Sequence, residues 1–118
     1  MFLFNLSFGQ DNDSIYTIVE ESPTFPGGDE GRIKFIQENI KYPMEALQNG
    51  VQGTVYVTFV VEKDGSLSNI RILKGIGYGC DKEVLRITKL MPKWNLGKQK
   101  AEPVRVQFNL PVHFILQG

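Results

Sequence analysis

Cys80 and His113 are the single cysteine and the single histidine of the chain, so any thiol–imidazole chemistry would have to be theirs. A thiol nucleophile needs a base within hydrogen-bond reach and a third group that orients the base. The sequence specifies no such third group. Cys80 stands four residues before Val84, on the apolar side of a predicted helix, where it reads as a small core residue. His113 falls on the polar side of the last predicted strand. One thiol and one imidazole also fall short of the four ligands of a structural zinc. The adjacent acids Glu20–Glu21 and Asp29–Glu30 lie on a loop and at a helix start, where carboxylates are normally solvated or capping. "GIGYG" (75–79) has the glycines of a phosphate loop without its Gly-Lys-Ser/Thr ending, and reads as a hinge. Trp94 reads as a core anchor for its loop rather than as a recognition aromatic. The sequence therefore predicts no enzyme, no metal and no cofactor.

A chain of 118 residues with 42% apolar content supports one domain with a modest core. Its formal charge is +0, which gives no reason to expect nucleic acid or an anionic membrane. The charge is unevenly laid out. Asp11, Asp13, Glu20, Glu21, Asp29 and Glu30 precede Gly31 with no Lys or Arg among them. Nine basic residues lie between Arg71 and Arg105 against Asp81, Glu83 and Glu102, a polarity that could steer an acidic partner to the second half. A solvated surface with an acidic lead-in is the simpler reading. One cysteine allows no internal disulfide and identifies no redox compartment. No run approaches the ~18 apolar residues of a membrane span. "MFLFNLSFGQ" has no basic residue before its short apolar stretch, so it is read either as the end of a longer signal cleaved near Gly9–Gln10 or as a disordered terminus. The first is favoured, because Met1–Phe8 has no periodicity a folded domain would use. Residues 1–13 are thus a lead, and 14–118 a single domain.

The elements that must carry any site are legible. "IYTIVEE" (15–21) alternates enough for a short strand, and "SPTFPGG" (22–28) breaks regular structure. Asp29 can cap a helix that sets Ile33, Ile36 and Ile40 on one face, with Phe35 beside them, and that ends near Tyr42 because Pro43 follows. Pro43 can open a second short helix that Gly50 closes. Thr54–Leu73 reads as a β-hairpin about Asp64–Gly65. Its first strand is apolar on both faces and therefore central. "KGIGYG" (74–79) reads as a flexible connection. A third helix from Asp81 places Val84, Ile87 and Met91 on one face and stops at Pro92. "KWNLGKQKAE" (93–102) reads as a polar loop. Strict alternation from Val104 to Phe114 then predicts a strand of roughly 36 Å at ~3.3 Å per residue.

A hairpin followed by a helix and a strand can form a split βαβ unit, with the last strand pairing on the open side of the first hairpin strand. The predicted fold is therefore α+β: a three-stranded, antiparallel or mixed sheet with two helices packed on one face, and an optional short N-terminal strand. The C-terminal strand falls on an edge, in keeping with Pro111, since sheets confine proline to edges or bulges. Val55, Val57, Phe59, Ile70, Ile72, Val84, Ile87, Val106 and Phe108 are expected to form one core. A long edge strand can pair with a peptide or a second copy, unless the N-terminal strand covers it.

"YPMEALQNGVQGTVYVTFVVEKDGSLSNIRIL", "KLMPKW" and "PVRVQFNLPVHF" together resemble the TonB C-terminal domain family, in register over residues 42–114. "FPGG" upstream and "GCD" at the third helix look most like its Bacteroidetes branch. The resemblance implies a periplasmic protein-binding module that pairs its last strand with the TonB box of outer-membrane transporters. Proton-driven partners of the ExbB/ExbD type would act only through a longer, membrane-anchored chain. Carried over, the box-binding strand is Val104, Arg105, Val106, Gln107, Phe108, Asn109 and Leu110. The flanking segment is Asn39, Ile40 and Lys41, with Tyr42 and Pro43. Leu96 stands where close relatives often carry proline, which should loosen that loop only slightly. This sequence has neither the membrane helix nor the proline-rich spacer of a complete transducer, so alone it is expected to bind but not to be driven. A homodimer by strand exchange is a further expected partner state. The alternative function is a stand-alone or sensor-associated periplasmic interaction domain.

Overall fold

The structure, a computed structural model, describes residues 13–117. The expected signal or disordered lead falls on residues 1–12, outside the described residues, and on Asp13. The sheet contains β1 (Ile15–Tyr16), β2 (Gly53–Val61), β3 (Leu67–Lys74), β4 (Gly97–Gln99) and β5 (Glu102–Phe114). Three helices accompany it: α1 (Gly28–Asn39), α2 (Met44–Gln48) and α3 (Cys80–Lys89). The strand order is β1-β5-β2-β3, with β4 paired to β5 alone. β2 is central, as its two apolar faces require, and Thr58 and Val60 on its second face are buried too. β5 runs antiparallel to β2, so the split βαβ arrangement holds.

One core lies between the sheet and the helices. Val55, Val57, Phe59 and Val61 sit opposite Val112, Leu110, Phe108 and Val106, which places all eight side chains on the same face. Val84 and Ile87 of α3 and Ala46 of α2 close this face, with Ile70, Ile72 and Phe108 packed against it half-buried. Val106 is buried at the end of the sheet. There Gly97 approaches so closely that a Cβ on it would lie 2.7 Å from a Val106 methyl.

Several local expectations change. The first helix is preceded by Gly27, not capped by Asp29, whose carboxylate instead accepts from Arg32 at 2.9 Å one turn on. That helix ends at Asn39, three residues before Tyr42, because Ile40 turns extended. α1 buries no residue fully, and Ile33 is exposed. "KGIGYG" is fastened rather than loose: the Asp81 carboxylate accepts from the Ile76 N–H at 2.8 Å and the Gly77 N–H at 3.2 Å. The polar loop after α3 holds β4, which returns on β5 through Lys100 and Ala101 in left-handed conformations. Neither residue is a glycine, and no sequence signal marked this turn.

Trp94 is a core residue. It makes edge contacts with Phe25, Phe59 and Phe108 at centroid separations of 5.7, 5.3 and 5.0 Å. Its backbone N–H donates to the Gly65 carbonyl at 2.9 Å. A Cβ at Gly65 would come within 2.3 Å of the Trp94 carbonyl oxygen, so the Asp-Gly turn needs its glycine for this approach as well as for its φ of +89°.

Candidate functional site

A sheet of this order has two outer edges. β3, one of them, is irregular: its register with β2 shifts between Tyr56 and Val57 and again between Thr58 and Val60, and Asn69 has φ 49°. Bulges of this kind twist an edge away from regular pairing. β5 differs. Its register with β2 runs without a shift from Gly53 opposite Phe114 to Val61 opposite Val106.

Backbone groups along an antiparallel strand alternate between its two neighbours. Pro111 has no N–H, and it lies inside the unbroken pairing with β2, so position 111 belongs to the set turned away from β2. By the same alternation Gln107, Asn109 and His113 turn their N–H groups outward. Their side chains share the sheet face opposite the core, where Asn109, Pro111 and His113 are exposed. Gln107 donates to the Thr58 hydroxyl at 3.2 Å, and His113 Nδ1 lies 2.9 Å from Thr54 Oγ1.

The edge is not open throughout, as a plain edge strand would be. β1 pairs in parallel with it, Ile15 opposite Arg105 and Tyr16 opposite Val106. Val104 pairs with Gly97 of β4. Of the expected strand, Val104, Arg105 and Val106 thus already have neighbours, and the Tyr16–Val106 pairing also takes up the outward N–H of Gln107, whereas Phe108, Asn109 and Leu110 lie beside an edge that is unpaired among the described residues. That free stretch continues past Leu110 to His113, which the resemblance did not include. β1 is two residues long rather than the seven of "IYTIVEE", because Thr17 and Ile18 leave the sheet.

The second group of expected residues sits elsewhere. Tyr42 packs edge-on against Phe114 at 5.5 Å, and its hydroxyl donates to the Val51 carbonyl. It therefore lies at the far end of β5 from Val104, ten residues and on the order of 33 Å away. Burial raises the Tyr42 phenol above its ordinary value. Pro43 precedes α2 in extended conformation. Asn39, Ile40 and Lys41 are clamped onto α3. The Lys41 N–H donates to Glu83 at 2.7 Å, and Arg86 donates both to the Asn39 carbonyl at 2.9 Å and to Glu83. Glu83 and Arg86 went unnoticed in the sequence, where an i,i+3 ion pair is commonplace.

Glu83 is held below the usual carboxylate value, first by the Arg86 hydrogen bond and also by the Lys41 N–H. Its contribution to the clamp is complete above the ordinary value of 4.5 and is lost as pH falls through the lower value of the folded state. The Lys41 amide resonance should accordingly stay fixed down to about pH 4.5 and shift only below it. A midpoint at or above 4.5 would remove Glu83 from this role.

No thiol–imidazole site is assembled. Cys80 is buried at the start of α3, and burial followed by the neighbouring Asp81 pushes its thiol up, away from the reactive thiolate. His113 points to the opposite face of the sheet. Cys80→Ala should leave partner binding unchanged and cost about 1–2 kcal/mol of stability, measured by urea unfolding. Loss of binding in the folded variant would show the thiol to be part of the site. Among the described residues no group of three or more His, Cys, Asp or Glu side chains is placed to hold a metal. No helix among them is long and apolar enough to cross a membrane.

The family described as Gram-negative bacterial TonB protein C-terminal matches residues 38–116. Two solution NMR structures of the Helicobacter pylori TonB C-terminal domain are similar in fold. The longer has a TM-score of 0.53 at 23% identity, covering 73% of this chain and 78% of that one. The shorter has a TM-score of 0.50 at 23% identity, covering 72% and 89%. No curated protein sequence matches.

Proposed function

The chain belongs to the Gram-negative bacterial TonB C-terminal family, and from that premise we propose that it captures the TonB box, a short extended segment of outer-membrane transporters, along the outer edge of β5. The family is one of periplasmic interaction and energy-transduction modules, not of enzymes. The observation that carries the reading is the contrast between the two sheet edges. β5 keeps an unshifted register and, among the described residues, has an unpaired outer side from Phe108 to His113, while β3 is broken by two register shifts. Strand addition takes its affinity from main-chain hydrogen bonds, which a regular edge supplies and a bulged one does not.

Such a joint suits a device that pulls and releases. Asn109 and His113 offer outward donors, and the carbonyls of Gln107, Asn109, Pro111 and His113 offer acceptors. At ~0.5–1.5 kcal/mol net per hydrogen bond, five or six bonds give several kcal/mol, much of it spent on ordering the peptide. Micromolar or weaker affinity follows. The substrate carried is chosen by the transporter, and coupling to proton-driven ExbB/ExbD-type partners would need a membrane anchor on the same polypeptide. The same edge could pair with a second copy of the domain.

Titration of the 15N-labelled chain with synthetic peptides from the N-terminal extensions of TonB-dependent transporters tests this. Amide shifts should concentrate on residues 107–113. Shifts confined to Leu67–Lys74 would instead place the partner on β3 and favour the sensor-type alternative.

A further inference from the structure

We propose that β1 is an internal stand-in for the partner strand, and that the partner peptide must lift it off β5 to engage the edge in full. This rests on the reading of β5 as the peptide-binding edge. β1 occupies the outer side of β5 at Arg105 and Val106, taking up the Gln107 N–H, and is directly continuous with the free stretch that begins at Phe108. A peptide long enough to use the free stretch and run on toward Val104 meets Ile15 and Tyr16 in its path.

β1 is built to be displaced. Only two of its residues pair, and Ile15 is 42% exposed, outside the core. Segments with so few buried contacts and backbone bonds open at low free energy. Its main side-chain tie is Arg105, whose guanidinium donates to the Asp13 carbonyl at 2.8 Å while Glu62 holds the same guanidinium at 2.8 and 3.1 Å. One bond of this tie, from Arg105 Nη1, goes to the Asp13 backbone carbonyl. Any extended segment in the same place offers that acceptor, so Arg105 can serve the cis strand and the partner alike.

Release of β1 would not free the whole N-terminal segment. Glu21 exchanges two backbone hydrogen bonds with Lys98 of β4, at 3.1 and 2.9 Å. Glu20 donates its N–H to the Gln99 side chain and accepts from the Lys100 N–H. A flap that stays hinged at Glu20–Glu21 keeps Ile15 and Tyr16 at high effective concentration beside β5, so it competes with the partner after every opening. An edge left free one-tenth of the time binds about tenfold more weakly than an edge always free.

The test uses the full chain and its variant Ile15→Pro/Tyr16→Pro, which removes the β1 donor facing β5, the Tyr16 N–H, without touching a core side chain. Amide hydrogen exchange reads the edge without any ligand: Arg105 and Gln107 should be protected in the natural chain and become as fast as Asn109 in the variant. Both proteins are then titrated with the same synthetic TonB-box peptide. The variant should bind at least about fivefold more tightly, with shifts extending from Gln107 back to Arg105. Equal affinities despite faster Arg105 exchange would overturn the stand-in role and leave β5 as the binding edge. Unchanged Arg105 exchange would show that β1 does not hold the edge in solution, and also overturn it. Absence of binding by either protein would remove the peptide-binding reading itself and, with it, any competition by β1.

Discussion

Asn109→Pro should weaken capture of a TonB-box peptide by at least about tenfold, while Asn109→Ala changes it by less than about threefold. The asymmetry follows from what the contact is made of. If the partner pairs through the backbone, the amide side chain of Asn109 is exposed and contributes little, but its N–H and that of His113 are the two outward donors past β1. Pro111 already lacks one. A second proline leaves only the His113 donor and adds ring atoms to the face the peptide must approach. One lost hydrogen bond at ~0.5–1.5 kcal/mol, with the partner's carbonyl left unpaired, reaches the tenfold scale of about 1.4 kcal/mol. Leu110→Pro is the matched control. Its N–H belongs to the set turned toward β2, opposite Val57, and its side chain is buried in the core, so that variant should lose the fold rather than the ligand. Isothermal titration on the folded Asn109 variants, with far-UV circular dichroism on all three, separates the outcomes. A well-folded Leu110→Pro protein would reverse the assignment of outward and inward positions along β5. Peptide binding by Asn109→Pro at the natural affinity would remove the backbone edge as the site.

The regular parts of this architecture were readable because period-two and helical spacing report directly on which face is buried. Val55, Val57, Phe59 and Val61, and opposite them Val106 through Phe114, alternate without a break, and that alternation alone orders β2 and β5. The tyrosine–proline start of the second helix and the Asp-Gly turn are local chemistry, legible for the same reason. What stayed hidden was pairing between residues far apart in the chain. Nothing near Ile15 announces Arg105 ninety residues later, so the sequence left open whether the last strand was free or covered. It proves to be covered by β4 and β1 from Glu102 to Val106 and, among the described residues, unpaired on that side from Phe108 on. β4 escaped because three residues, Gly97, Lys98 and Gln99, carry no alternation, and its turn uses Lys100 and Ala101 where glycine or asparagine would have been the signal. The expected site divided for a physical reason as well. The tyrosine–proline segment and the last strand are joined in a family pattern, but Tyr42 is anchored on Phe114 and Val51, which fixes it to the opposite end of β5 from Val104.

Trp94→Ala should destabilise the domain by about 3–5 kcal/mol, a large share of the roughly 5–15 kcal/mol by which small domains are stable. Trp94 is 3% exposed and is surrounded by Phe25, Phe59 and Phe108, so truncation leaves a cavity lined by rings from the N-terminal segment, β2 and β5. These elements cannot close together on the gap, because Phe59 and Phe108 are pinned opposite each other in the sheet. Trp94→Phe should be far milder. The indole Nε1 is buried without a hydrogen-bond acceptor among the described residues, and phenylalanine removes that unpaired donor along with the smaller ring's share of packing. An unpaired buried donor costs about 1–3 kcal/mol, which offsets part of the lost contact. The melting temperature should thus fall by more than 10 °C for alanine and by only a few degrees for phenylalanine. Function distinguishes this anchor from a recognition aromatic. Trp94 braces the hairpin turn at Gly65 and the chain leading to β4, which lie near the Val104 end of β5 and away from the open stretch. The folded fraction of either variant should therefore bind a TonB-box peptide with its natural affinity. An alanine variant that kept its melting temperature and lost the peptide would make Trp94 part of the partner surface.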